Sequence, residues 1–165
     1  MQWFINDLYC LKYTMDIKLR MATIHPESRD LIAVANCEFE LAREISIDPE
    51  FKGILAERMN HFFYPNRKEH RTKQILAEVS RGVACYAAYS FLDNNVHLDS
   101  LYVKKCFRGF GIGEKLVYDV IERARQIEFD EIFLISPKSA LPFYRKMGFV
   151  GGQVFENAQE LVFPL

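Results

Sequence analysis

The sequence predicts one α/β domain built on a mixed sheet, and three observations predict it. Strand-like and helix-like runs alternate along the chain, which is the pattern of an α/β architecture. Half of the 165 residues are hydrophobic and 14% are aromatic, enough to fill a sizeable core in a chain of single-domain length. Three alternating glycines, in Arg108-Gly109-Phe110-Gly111-Ile112-Gly113, lie directly between a strand-like run and a helix-like run.

The elements follow in order. Asp16 to Thr23 reads as a first strand. Pro26 and Ser28 suit a helix start, with Ser28 a candidate cap, and Leu31, Ile32, Ala35, Phe39 and Ala42 recur at helical spacing. Ile47-Asp48-Pro49 breaks that pattern, and Phe51 to Phe63 reads as another helix, ended by Pro65-Asn66. Gln74 to Val79 is a strand. Val83 to Leu92 is nearly all apolar and so reads as a strand buried on both faces. Asp93-Asn94-Asn95 is hairpin-turn chemistry leading into the strand Val96 to Val103.

After the glycines, Leu116, Val117, Val120, Ile121, Ala124 and Ile127 form the apolar stripe of an amphipathic helix, with Glu122, Arg123, Arg125 and Glu128 facing away. Glu131 to Ile135 reads as a buried strand. Ser139 to Met147 reads as a helix closed by Gly148. Gly151-Gly152 reads as a turn, and Glu160 to Phe163 as the last strand.

The glycine stretch carries the chemistry. Glycine lets the backbone take unusual angles and approach a ligand closely. The N–H groups that open the following helix have no partner inside it, and the helix dipole adds partial positive charge. The product is a cradle for phosphate, with Arg108 a charge at its lip. The dinucleotide pattern G-x-G-x-x-G fails, because Glu114 stands where its last glycine should be, and no P-loop string occurs. The pattern present is R-x-x-G-x-G, Arg108 through Gly111 to Gly113.

That pattern resembles the acetyl-CoA loop of the GNAT superfamily of N-acetyltransferases. Ala140, Phe143, Tyr144, Gly148 and Phe149 match the family's short helix A-x-x-F-Y-x-x-x-G-F, and Ile17 to Thr23 resembles its first strand, in which an Arg and an Ala-Thr pair precede a helix. The order of elements agrees as well. The resemblance runs from about Asp16 to the C-terminus, best between Val96 and Phe149 and vague between Cys37 and Lys73. It implies a GNAT fold, a mostly antiparallel central sheet flanked by helices, with residues 15–165 as the domain and 1–14 as an extension, or as upstream sequence if Met15 is the start. It also implies acetyl-CoA as co-substrate and no metal.

Site roles carry over residue by residue. The resemblance implies that the backbone of Leu101, Tyr102 and Val103 pairs with the pantetheine arm, with an N–H near Leu101 polarising the thioester carbonyl. The pyrophosphate maps to Arg108, Gly109, Phe110, Gly111, Ile112, Gly113 and Glu114, the last giving its N–H and pointing its side chain outward; Ser136 maps to a polar contact to the arm. Tyr144 maps to the acid that protonates the leaving thiolate, since a phenol can donate there. The place of a Leu-Glu-Asp triplet in polyamine acetyltransferases is taken by Leu98-Asp99-Ser100, which puts Asp99 at the general-base position. His97, on the same strand face, and a bridging water stay open as alternatives.

Composition narrows the partners. A net charge of −1 points to neither nucleic acid nor an anionic membrane, and no apolar run approaches the ~20 residues that span a bilayer. Asp7 and Lys12 interrupt any signal-peptide core. Cys10, Cys37, Cys85 and Cys106 show no metal spacing and suit a reducing cytoplasm; Cys37 and Cys85 read as core and Cys106 as exposed. The acceptor region expected by resemblance is Met59 to Lys73, whose Arg67, Lys68, Arg71 and Lys73 favour an amine bearing a carboxylate or phosphate over a polyamine. A small-molecule or peptide amine is the expected partner. The apolar tail Leu161 to Leu165 is compatible with the homodimers common in the family. The competing readings are a non-catalytic acyl-CoA-sensing module that regulates a partner, transfer of a longer acyl chain, and a mononucleotide-binding α/β protein.

Overall fold

The computed structural model describes residues 16–23, 28–45, 72–80 and 82–165. The expected helix at 51–63 and nearly all of the expected acceptor segment lie outside the described residues. In chain order the elements are β1 (Lys18–Met21), α1 (Arg29–Ile45), β2 (Lys73–Val79), β3 (Gly82–Leu92), β4 (Asn95–Val103), α2 (Ile112–Gln126), β5 (Glu131–Pro137), α3 (Leu141–Lys146), β6 (Val150–Val154) and β7 (Ala158–Pro164). The strands form one seven-stranded sheet in the order β1-β2-β3-β4-β5-β7-β6. Every neighbouring pair is antiparallel except β4 and β5, which run parallel.

Alternation along the strands builds two cores, one on each face. Ile75, Cys85, Ala87 and Leu98 point to the side covered by α2, whose Leu116, Val117, Val120, Ile121 and Ala124 are buried there. Leu76, Tyr86, Ala88 and Tyr102 point the other way, against Val34 and Cys37 of α1. With both faces covered, β3 is buried over seven consecutive residues, as its apolar run implies. Two residues join β3 to β4, and Asp93 there takes a left-handed φ of 53°, which Asp tolerates better than most residues.

Three local expectations fail. Ile32 and Phe39 stand about 60% exposed, while Val34, Cys37 and the carboxylate of Glu38 face the sheet. The helix is where the periodicity puts it, but it is rotated, because a buried glutamate takes a place on the inner face. Gly151 and Gly152 do not form a turn. They lie within β6, across a register shift against β7, where a Cβ would meet Gln159 Nε2 at 2.5 Å and Glu160 Oε2 at 2.7 Å. Ile127 at the end of α2 and Ile135 on β5 are exposed as well.

A cluster of charges ties β1 to α1. Ser28 Oγ accepts the Leu31 N–H and caps the helix as expected. Arg20 donates to both oxygens of Asp30, at 2.6 and 2.7 Å, and to Glu78 at 2.6 Å; the Thr23 N–H completes Asp30 at 2.8 Å. The bonds from Arg20, opposed in part by burial and helped by Thr23, hold the Asp30 carboxyl near 2, against an ordinary 3.8. A depressed carboxyl stabilises the fold fully above its unfolded value and loses that contribution as pH falls through its folded value. Asp30→Asn is therefore expected to cost about 2 kcal/mol near neutrality, and that deficit should shrink between roughly pH 4 and 2. Urea unfolding of both proteins across that range checks it; a deficit independent of pH would contradict the ion pair's role.

Candidate active site

The site opens where the sheet comes apart. β4 and β5 pair only through Asn95–His97 and Glu131–Phe133. Immediately afterwards β4 carries a bulge: Ser100 and Leu98 oppose the adjacent Ala88 and Tyr89 of β3, so Asp99 is the extra residue. A bulge bends its strand and ends regular pairing. Beyond it β4 keeps β3 as a partner while the edge toward β5 is free of strand pairing. A cleft of about 1080 Å³ fills the splay, walled by Leu98 to Val103 on one side and by Leu134, Ile135 and Pro137 on the other.

Backbone register decides which groups face this cleft. The Lys104 N–H donates to Ala84 O of β3 at 3.0 Å. By alternation Tyr102 also turns its backbone to β3, and Leu101 and Val103 turn theirs to the cleft. Two of the three expected arm-binding residues thus turn their backbone to the cleft, the Val103 carbonyl accepting there from Arg108 Nε. Tyr102 instead sends its phenol to α1, donating to Glu44 at 2.8 Å and Glu40 at 3.1 Å.

The glycine loop closes one end of the cleft. Gly109 and Gly111 adopt φ of 80° and 75°, in the left-handed region that favours glycine. Gly111 is the N-cap of α2 and supplies no side chain, so the N–H groups of Ile112, Gly113 and Glu114 are left for a ligand. Gly113 packs closely on β4: a Cβ there would stand 3.1 Å from Val103 Cγ2, which would have to give by a few tenths of an ångström. A loop stripped of side chains above a helix start fits a diphosphate. The Glu114 carboxylate is held by Lys146 at 2.8 Å, which neutralises it against an incoming anion. Ile112 is buried and Phe110 packs on the core, so these two shape the loop from beneath.

Two expected contacts are placed differently. Arg108 is not a free charge at the lip: its Nε donates to Val103 O at 2.9 Å, its Nη2 to Glu44 at 2.7 Å, and it lies over the Tyr102 ring. Burial pushes the Glu44 carboxyl up, but the bonds from Arg108 and Tyr102 together outweigh it and hold it below the usual carboxylate range. Burial and the bond to Glu44 push the Tyr102 phenol up. Ser136 is fully buried, donates to Pro137 O at 3.0 Å, and is not part of the cleft wall. Its neighbours Ile135 and Pro137 take that place.

Tyr144 borders the cleft from α3. The helix ends in a Schellman motif: Gly148, at φ 99°, donates to Arg145 O, and the Phe149 N–H donates to Tyr144 O at 3.2 Å. Phe143 and Phe149 hold the Tyr144 ring edge-on, with centroids at 4.9 and 5.5 Å. This accounts for the spacing F-Y-x-x-x-G-F. Asp99 borders the cleft from the bulge; its Oδ1 accepts from His97 Nδ1 at 2.7 Å and from Ser90 at 3.2 Å. His97 stacks on Phe133, ring centroids 4.6 Å apart.

Sequence reasoning missed Glu44, Ser90 and a buried network in which Glu38 accepts bonds from Tyr86 and from Ser100, the latter at 2.9 Å. Nothing in their local sequence marks them, because each partner lies on another element. Among the described residues no cluster of His, Cys, Asp and Glu could hold a metal ion, and no helix is long and apolar enough to cross a membrane.

A splayed parallel pair with a glycine-built helix start at its mouth forms one continuous cleft. Residues 44–159 match the acetyltransferase (GNAT) domain family, and the chain belongs to that family. A 53-residue stretch is 36% identical to a glucosamine 6-phosphate N-acetyltransferase of Trypanosoma brucei brucei, covering 32% of this chain and 36% of that relative, so the match spans about a third of the relative's length. Among solved structures, the PaiA N-acetyltransferase of Thermoplasma acidophilum, in complex with coenzyme A, superposes with a TM-score of 0.73 at 15% identity, over 92% of this chain and 100% of that one. An acetyltransferase from Streptococcus agalactiae gives 0.70 at 17% identity, over 90% and 98%. The expected GNAT fold, with its mixed and mostly antiparallel sheet, is the one observed.

Proposed function

We propose that this chain is an N-acetyltransferase that moves an acetyl group from acetyl-CoA to a primary amine of a small molecule or peptide by direct attack. The observation that carries the reading is the sharing of one cleft by the open edge of β4 and the cradle at the start of α2. A pantetheine arm needs a strand edge, and a diphosphate needs bare N–H groups; here the two adjoin. Leu101 and Val103 would hold the arm, and Gly109 through Glu114 the diphosphate. Arg108 would complete that site on leaving Glu44. Coenzyme A in the structural relatives supports the same cofactor.

Bound acetyl-CoA supplies an activated thioester; the chain's residues do the rest. The backbone N–H near Leu101 faces oxygen that gains negative charge. Tyr144 Oη would give a proton to the departing sulfur, and the amine's proton would fall to Asp99, which lines the cleft and is bonded by His97 Nδ1. The acceptor's chemistry is drawn from two supports: the basic residues between Arg67 and Lys73, and the phosphorylated amino sugar named for the relative in Trypanosoma. Both favour an amine that carries an anionic group. Free thiols at Cys37, Cys85 and Cys106 support a reducing, cytoplasmic setting. Residues 15–165 form the domain in this reading, with 1–14 as an extension.

The test is to incubate the protein with acetyl-CoA and a panel of amino sugar phosphates, amino acids, polyamines and short peptides, and to identify products by mass. Acetylation concentrated in anionic amines is expected. Preference for polyamines would overturn the acceptor class. Binding of acetyl-CoA with no product on any amine would favour the sensing module.

A further inference from the structure

The Arg108 guanidinium stands where an extended ligand would have to lie. Backbone alternation turns the Val103 carbonyl to the cleft, and Arg108 Nε donates to it at 2.9 Å. One turn of 3₁₀ helix, Lys105–Phe107, follows β4 and brings the Arg108 side chain back to the strand edge the chain has just left. From the other side Glu44 of α1 accepts from Arg108 Nη2 at 2.7 Å. Glu44 is itself held, by the Tyr102 hydroxyl at 2.8 Å and by Lys105 at 3.8 Å. Val103, Glu44 and Arg108 all line the cleft. A carbonyl has two lone pairs, so the bond to Val103 alone would not bar an incoming amide. The bulk of the guanidinium does, because it occupies the edge along which an extended arm would pair. Arginine keeps its charge in a protein, so it gives up Glu44 only for another anion.

We infer that Arg108 is a plug on the β4 edge, held by Glu44 and drawn off by a diphosphate, so that the cleft admits a pantetheine arm only when a diphosphate comes with it. The inference rests on the reading of the cleft as a coenzyme A site. The glycine cradle begins at the next residue, so a diphosphate seated there is within reach of the side chain it must draw off. Arg108 then changes partner from a carboxylate to a phosphate, and the Val103 carbonyl becomes free for the arm's amide. The specificity this confers is against pantetheine compounds that lack the diphosphate. Glu44, which the sequence does not mark, sets how hard the plug is to draw.

Two probes test it, coenzyme A titrated by calorimetry and pantetheine followed by backbone amide shifts. Glu44→Gln is expected to bind coenzyme A about fivefold tighter, the upper end for a partly exposed ion pair. Arg108→Ala is expected to move the probes in opposite directions. Coenzyme A should weaken by about tenfold as a charged partner is lost, and pantetheine should tighten by about threefold as the edge opens. With Arg108→Ala already in place, Glu44→Gln should change coenzyme A affinity by less than about twofold, because its effect acts through that arginine. Pantetheine binding the unaltered protein as tightly as it binds Arg108→Ala would overturn the plug. Should Arg108→Ala not fold, Glu44→Gln decides alone, and an unchanged or weaker affinity for coenzyme A would overturn the plug while leaving the cofactor reading intact. Coenzyme A that fails to bind the unaltered protein and Glu44→Gln alike would instead refute the cofactor reading, and the plug with it.

Discussion

Gly111→Asp is expected to weaken acetyl-CoA binding by about a thousandfold, since like charges brought together in a binding site cost several kcal/mol. Gly111 caps α2 with φ at 75° and with nothing within 4 Å of where a Cβ would stand. Space accepts the new residue, and the left-handed backbone strains it by about 1 kcal/mol, less for Asp than for most side chains. What changes is the cradle. A carboxylate at the cap would take the free N–H groups of α2 for itself, as caps do, and would set a negative charge where the diphosphate belongs. The variant should lose no more than several degrees of melting temperature, the strain at φ 75° being partly offset by a carboxylate at a helix start. Calorimetric titration with acetyl-CoA measures the effect; unchanged affinity in a folded variant would remove the cradle from the account.

Tyr144→Phe is expected to lower kcat by about a thousandfold, within the range for a lost proton donor. The substitution keeps the ring, so the edge-on contacts to Phe143 and Phe149 and the Schellman closure at Gly148 remain. Acetyl-CoA affinity should hold, because the cradle and the β4 edge are untouched. A fall in kcat without a change in binding is the signature of a group that acts in the transition state. A fall in stability with normal turnover in the folded fraction would make Tyr144 a packing residue.

Both variants sit where local sequence and structure agree. A left-handed backbone position needs glycine, so Gly109, Gly111 and Gly148 announce themselves, and the aromatic spacing around Gly148 follows from a helix that must fold back on its own tyrosine. Other features depend on distant partners and leave no local mark. Arg108 reads as a free cation until Glu44, on another element, takes it. The inner face of α1 is misread because a buried carboxylate, Glu38, is satisfied by hydroxyls on β3 and β4. The bulge at Asp99 opens the site, yet no glycine or proline betrays it. Gly151 and Gly152 read as a turn, yet they lie within β6 where its register shifts against β7, a pairing set by residues beyond them in the chain.

The most direct measurement is release of free thiol from acetyl-CoA, followed continuously with and without the best amine of the panel, in the unaltered protein and in Tyr144→Phe. Acceptor-dependent release that falls by about three orders of magnitude in the variant is the result expected from a proton-donating tyrosine. Tight binding with release that no amine accelerates would contradict it and leave a domain that binds the cofactor without using it.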